Sequence, residues 1–163
     1  MKFDRFDSQF GPVLVAADES GLRHVRLLDD AGPDEGWARD VEALAPAVRQ
    51  LEEYFAGRRR RFELALAPQG TEFQLRVWSA LVDIPYGETW SYAELARHIG
   101  DAGAVRAVGG ANGRNPIPII IPCHRVIAAD GSIGGYALGS ELKRQLLELE
   151  GASGAFTQAQ LPI

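Results

Sequence analysis

The sequence predicts an α+β protein in two parts: an N-terminal α/β segment over residues 1–68 and a helical segment over residues 69–163. Three observations lead there. Short apolar runs bounded by Asp, Ser and Gly fill the first third of the chain, as strands and turns do. Two capping boxes, Thr71 with Gln74 and Ser91 with Glu94, open helices in the remainder. Between the two halves lies a cluster of breakers, Ala67-Pro68-Gln69-Gly70, the expected boundary.

In the first part, residues 10–17 and 22–28 read as strands joined by the turn cluster Asp18-Glu19-Ser20-Gly21. Leu44, Val48, Leu51 and Phe55 fall at helical spacing, with Gly57 as the stop. Pro46 is expected in the first turn of that helix, where a missing N–H costs little. The run Arg58-Arg59-Arg60-Arg61 reads as a solvated edge, and Phe62-Glu63-Leu64-Ala65-Leu66 alternates like a strand. In the second part, the Thr71 box opens a helix with Phe73, Val77, Leu81 and Ile84 on one face, ended by Pro85-Tyr86-Gly87. The Ser91 box opens a short helix that stops near Gly100, and a further helix runs from about Ala102 to Asn112. The pair has the proportions of a helix-turn-helix. A last helix covers residues 140–150, with Leu142, Leu146 and Leu149 inward and Gly151 as its stop, followed by a loose tail.

Composition narrows the class. Hydrophobic residues at 46% and charged residues at 24% are ordinary for a globular protein. No stretch approaches the ~18 consecutive apolar residues of a membrane span. Residues 1–7 lack the apolar core of a signal peptide. A single cysteine forms no internal disulfide and suits a reducing cytoplasm; a monomer is expected. The net charge of -5 runs against broad nucleic-acid binding. Residues 86–127 are locally different, with Arg97, Arg106, Arg114 and Arg125 against Glu88, Glu94 and Asp101. All but two of the 17 basic residues are arginine, the better phosphate fork. A small nucleic-acid footprint therefore stays open.

The chemistry concentrates in Pro122-Cys123-His124-Arg125-Val126. A lone cysteine is often a small buried hydrophobe; here it sits on a Pro-flanked apolar run beside a histidine. A thiol of pKa ~8.5 is only a few per cent ionised at neutral pH, so a nucleophilic Cys123 needs a base or a positive field. On extended backbone, neighbouring side chains point to opposite sides, so a bridging water is the natural link from Cys123 to His124. Arg106 precedes Ala107, Val108, Gly109, Gly110 and Ala111, unusually small for a helix. Two helical glycines cost ~1 kcal/mol each. They allow close approach of another surface, and packing on the core explains that as well as a partner does. Glu150 stands in a last helical turn, where the dipole disfavours an anion by ~0.3–1 kcal/mol. His24 and His98 read as structural. Three scattered histidines and one cysteine give no metal signature, and no cofactor is implied.

Pro-Cys-His-Arg-Val, with Arg106-Ala107-Val108-Gly109-Gly110-Ala111 and Asn115-Pro116 before it, resembles the O6-alkylguanine-DNA alkyltransferases. The likeness spans residues 71–151. It implies a ribonuclease-H-like cap followed by a winged-helix-like domain, and single-turnover transfer of an alkyl group from O6 of guanine to Cys123. By the same resemblance His124 takes the thiol proton through water and is oriented by Glu150, while Tyr92 hydrogen-bonds the leaving base. The helix of Arg106, Ala107, Gly109 and Gly110 would enter the minor groove of duplex DNA, with Arg106 filling the gap of the flipped base. Asn115 would be a hinge, Val126 would offer its carbonyl, and Pro118, Tyr136 and Ala137 would line the pocket. Gly135 and Ala137 are smaller than the residues the family often carries there. Some members hold an N-terminal zinc, whose Cys ligands this chain lacks. Two readings of other classes remain open: a binding module that recognises the lesion without repairing it, which would lack the cysteine, and a Cys–His hydrolase, which would need an oxyanion hole and direct Cys–His contact.

Overall fold

The computed structural model describes residues 1–28, 31–134 and 136–152. The chain divides into two compact units, Met1–Gln69 and Gly70–Ile163.

The first unit is a four-stranded sheet with one helix. Strands β1 (Lys2–Ser8), β2 (Gly11–Asp18) and β3 (Gly21–Leu27) form an antiparallel meander, and β4 (Ala38–Arg39) adds parallel to β1, giving the order β3-β2-β1-β4. Val13, Leu14, Val15 and Ala16 are all wholly buried, because both faces of this central strand are covered. Leu14 and Ala16 pack with Ala31, Phe3 and Trp37 on one face. On the other, Phe6, paired in register with Val13, meets Phe55 of α1 (Val41–Phe55).

Three expectations need correction here. β1 was not anticipated: Phe3 and Phe6 are three residues apart, so one lies on each face and no period-two pattern shows. α1 begins at its Asp40 cap, ahead of the first apolar repeat, so Pro46 lies in the second turn. There it deprives the Glu42 carbonyl of its amide donor, a loss that water makes good because both residues are exposed. Residues 62–66 alternate in burial yet form only an isolated bridge, Leu22 to Leu66. The buried Gln50 side chain takes the place of a neighbouring strand, accepting from Glu63 N–H at 2.8 Å and donating to Glu63 C=O at 3.2 Å. The arginine run is largely exposed, with Arg59 tied to Glu53 and to the Arg61 carbonyl.

The second unit is helical. Both capping boxes form, Thr71 opening α2 (Glu72–Leu81) and Ser91 opening α3 (Tyr92–His98). Val77, Leu81 and Ile84 are fully buried, joined by Trp78. α3 ends in a Schellman motif, with Asp101 N–H on the Ala96 carbonyl and Gly100 N–H on that of Arg97. Gly100 adopts φ 79°, a conformation that side chains resist, and the chain turns into α4 (Val105–Gly113). That helix starts three residues later than expected and packs on both α2 and α3. Trp78 Nε1–H donates to the Ala111 carbonyl at 2.8 Å, pinning α4 to α2. After a 3-10 turn at Cys123–Arg125, β6 (Val126–Ile127) pairs parallel with β5 (Trp90–Ser91). α5 (Ser140–Leu149) closes the unit and buries Leu142, Lys143, Leu146 and Leu147, with Leu149 only half-buried. Its Schellman end, with Gly151 at φ 76°, fixes Glu150 as the C-cap. Most of the anticipated tail, residues 153–163, lies outside the described residues. Among those described, no helix is long and apolar enough to cross a membrane.

Candidate active site

Pairing of β5 with β6 sets Trp90 beside Val126 and Ser91 beside Ile127, which brings the first residue of α3, Tyr92, to the cysteine turn. Tyr92 is half-buried. Burial and then the nearby Cys123 charge raise its phenol pKa, so it stays a protonated donor.

The approach to Cys123 is a succession of tight turns. Ile119 has φ 75°, and Ile120 N–H bonds back to the Pro118 carbonyl at 2.9 Å, forming a γ-turn of the rare positive-φ kind. For a β-branched residue this conformation is an outlier that costs about 1–3 kcal/mol. Ile119 is nonetheless wholly enclosed, so packing holds it there. Pro122, at φ -81° and ψ 66°, forms the inverse γ-turn, with Cys123 N–H on the Ile121 carbonyl at 2.8 Å. Asn115 brackets both turns: its Nδ2 donates to the Ile121 carbonyl at 2.7 Å and its Oδ1 accepts from Ile117 N–H at 2.9 Å. From α4, Asn112 Nδ2 reaches the Cys123 carbonyl at 3.4 Å. The cysteine is thus held by backbone geometry and by two asparagines on the helix-turn-helix side.

Cys123 and His124 lie on a 3-10 turn rather than on extended backbone, a correction that follows from the two γ-turns before them. The thiol is buried and lies 3.7 Å from the Tyr136 hydroxyl. Burial pushes its pKa up, against hydrogen bonds from Asn115 and Tyr136 and the positive charge of Lys143. Lys143 is itself fully buried, its Nζ 5.9 Å above the Tyr136 ring, and burial lowers its pKa to about 8. His124 is wholly enclosed; its Nε2 meets Glu150 Oε2 at 2.7 Å, while Nδ1 has no hydrogen-bond partner among the described residues. Burial, assisted by Arg125 and Lys143 and opposed by Glu150, lowers the imidazole pKa. His124 is therefore neutral at neutral pH, with one nitrogen oriented and the other open to a proton.

Glu150 is the hub. Arg125 grips it with Nε on Oε1 at 2.8 Å and Nη2 on Oε2 at 3.0 Å, and its Nη1 donates to the Ile84 carbonyl at 2.7 Å. Burial opposes charge on this carboxyl, but His124 and Arg125 outweigh it and bring the pKa down to about 2. The unfavourable C-terminal placement noted in the sequence is compensated by two partners rather than one.

The remaining expected residues separate by exposure. Arg106, Ala107 and Gly110 are exposed on α4, and Arg106 makes no hydrogen bond or ion pair among the described residues. A Cβ on Gly110 would meet nothing within 4 Å, and one on Gly109 only ordinary contact with the Tyr92 ring at 3.8 Å. The fold itself therefore does not demand these glycines. Pro118 and Val126 are buried, Tyr136 is partly buried at the thiol, and Ala137 is exposed. Gly135 lies outside the described residues. His98 has a partner the sequence did not show, Asp83 at 3.0 Å, and its ring lies 4.7 Å from Trp90. His24 lies 5.3 Å from Trp37.

Arg125, Lys143 and Asn112 were not anticipated as site residues. Arg125 counted only as a local positive charge. Lys143 carried a signal: it falls three residues before Leu146 and four before Leu147, on the buried face of α5.

Comparison with known proteins places this geometry. The ribonuclease-like domain of 6-O-methylguanine DNA methyltransferase matches residues 1–68, and the DNA binding domain of the same family matches residues 72–152. The chain belongs to this family. A methylated-DNA–protein-cysteine methyltransferase of Methanosarcina acetivorans is 51% identical over 155 residues, covering 93% of this chain and 99% of that protein. One from Mycobacterium tuberculosis is 51% identical over 146 residues, or 88% of each. The crystal structure of Mycobacterium tuberculosis OGT in complex with DNA superposes with TM-score 0.87 at 49% identity, covering 93% of this chain and 94% of that one.

The charge on Glu150 makes a stability prediction. Its folded pKa of about 2 lies below the ordinary 4.5, so the stability it contributes is full above pH 4.5 and is lost as pH falls towards 2. Glu150→Gln should be less stable at neutral pH, and its thermal midpoint should converge on that of the wild type across this window. A gap that stays constant from pH 4.5 to 2 would show that the ionised carboxylate is not what holds the site.

Proposed function

We propose that this chain repairs alkylated DNA by moving an alkyl group from O6 of guanine in the duplex to Cys123 Sγ, once per molecule. The observation that carries the reading is a clamped, buried thiol adjacent in sequence to a histidine whose Nε2 is bound to Glu150 and whose Nδ1 has no hydrogen-bond partner among the described residues. A proton leaves the thiol through a bridging water to His124 Nδ1, and Lys143, Asn115 and the Tyr136 hydroxyl stabilise the thiolate. The sulfur attacks the sp3 carbon, an S–C bond forms, and the O6–C bond breaks with its electron pair left on guanine. Tyr92 donates to a ring nitrogen of the base as this charge develops. The anion then takes a proton, so hydrogen and alkyl group have exchanged places.

A thiol this deep cannot reach a base within the stack, so the base has to leave the helix. α4 supports that step. Arg106 is exposed and unengaged, Ala107 and Gly110 offer a flat small-residue surface, and the Ala104 N-cap leaves the first amides of the helix without a side-chain partner. This helix enters the minor groove, and Arg106 fills the space of the flipped guanine. Pro118, Tyr136 and Ala137 line the pocket, and Val126 offers its carbonyl to the base. The protein acts as a monomer in a reducing cytoplasm, which keeps Cys123 a thiol.

Stoichiometry tests the chemistry. A thioether has no carbonyl for water to attack, so the thiol is not regenerated. With excess O6-methylguanine duplex, product should plateau at one equivalent of protein, with intact mass and peptide mapping placing the adduct on Cys123. Repaired guanine in excess of protein, or alkyl groups on other residues, would overturn the assignment.

The finger role makes a separate prediction. Unstacking a base costs a few kcal/mol, so Arg106→Ala should slow duplex repair by about tenfold or more. Reaction with free O6-benzylguanine, which needs no extrusion, should change little. Equal losses on both substrates would remove Arg106 from the flipping step.

A further inference from the structure

Nothing in the relay just proposed uses Arg125, yet it is the most heavily engaged side chain around Glu150. Its guanidinium meets both carboxylate oxygens, reaches the Ile84 carbonyl in the turn after α2, and lies 5.6 Å from the centre of the Tyr86 ring. A backbone clamp alone would need no grip on the carboxylate. The bidentate fork places a full positive charge on the oxygen, Oε2, that His124 also uses.

We propose that Arg125 is a positioning residue of the alkyl transfer: by sharing the Glu150 carboxylate with His124, it keeps that histidine neutral and able to accept the thiol proton. The charge balance is what requires it. A buried carboxylate bound to imidazole alone favours the imidazolium, because the pair is then neutral overall. A histidine already protonated from solvent is no base. With Arg125 present the carboxylate's charge is already matched, and a proton on His124 would leave the buried group with a net positive charge. Lys143 acts in the same direction from α5, and the Cys123 thiol belongs to the neighbouring residue of the same turn. Burial, Arg125 and Lys143 together outweigh Glu150 and lower the imidazole pKa.

This inference rests on the Cys–His reading above, and its test separates the two. Ring resonances of the three histidines are followed by NMR against pH in the wild type, Arg125→Met, Arg125→Gln and Arg125→Lys. Alkylation by free O6-benzylguanine is timed over the same range. In the Met and Gln variants the His124 midpoint should rise by about one pH unit or more. The acidic limb of the rate profile should rise with it, so that activity lost at neutral pH returns at higher pH. Arg125→Lys keeps the charge without the fork, so His124 should titrate close to the wild type even where the rate falls.

An unmoved His124 midpoint in the neutral variants, or a rate lowered equally at every pH, would reduce Arg125 to a structural clamp. If only the Lys variant folds, a His124 protonated at neutral pH in it would overturn the inference, and a wild-type-like titration supports it. Should His124→Ala alkylate at the wild-type rate, the relay itself fails, while the NMR titration still decides whether Arg125 sets the protonation of His124.

Discussion

One carboxylate, buried at the end of α5, organises this active site. Glu150 can be an anion there only because His124 and Arg125 hold it, and each of them comes from the turn that carries Cys123. Removing either partner from a buried pair typically costs 3–5 kcal/mol, since the other is left uncompensated. Three separate segments, the turn after α2 at Ile84, the cysteine turn and the end of α5, are thereby joined at a buried point. The site's chemistry and the packing of the helical unit rest on the same few hydrogen bonds.

A second constraint acts on the cysteine from the other side. The γ-turn at Ile119 holds the backbone in a conformation it would not choose, and Asn115 and Asn112 bind the cysteine segment to the region of α4. Strain of this kind persists only where surrounding structure over-determines it. Here it fixes the thiol beside Tyr136 and near Lys143. Burial raises the thiol's pKa, so rigidity alone does not activate it; the base is required because burial disfavours the thiolate. The low dielectric that keeps Cys123 protonated at rest also strengthens every interaction with the thiolate once it forms.

What the sequence made legible follows the range of the interactions. The capping boxes at Thr71 and Ser91 and the buried helix face of Val77 and Leu81 are local and stand as read, while Ile84 is buried beyond the end of α2 and Phe73 is half-buried. Cys123, His124 and Glu150 were nominated by a short motif and a resemblance, and the structure brings the histidine and the glutamate into contact. β1 escaped because its two phenylalanines serve opposite faces, and the segment at Leu64 misled because a glutamine side chain replaces its strand partner. Arg125 and Lys143 escaped for a different reason. Charged residues read as solvated unless their partners are known, and the partners here lie 25 residues away in α5 or across the turn. The glycines of α4 were ambiguous in sequence, and the open space around Gly110 favours an external surface over the core.

The most direct test of this account is a double-mutant cycle on the relay. Single-turnover rates with free O6-benzylguanine are measured for the wild type, His124→Ala, Glu150→Gln and the double variant, in protein shown to be folded. If Glu150 acts through His124, each single change should slow alkylation by about 10²-fold or more. The double variant should then be hardly slower than the worse single one. Losses that multiply would mean that the carboxylate and the imidazole act on Cys123 independently, and would contradict the central claim.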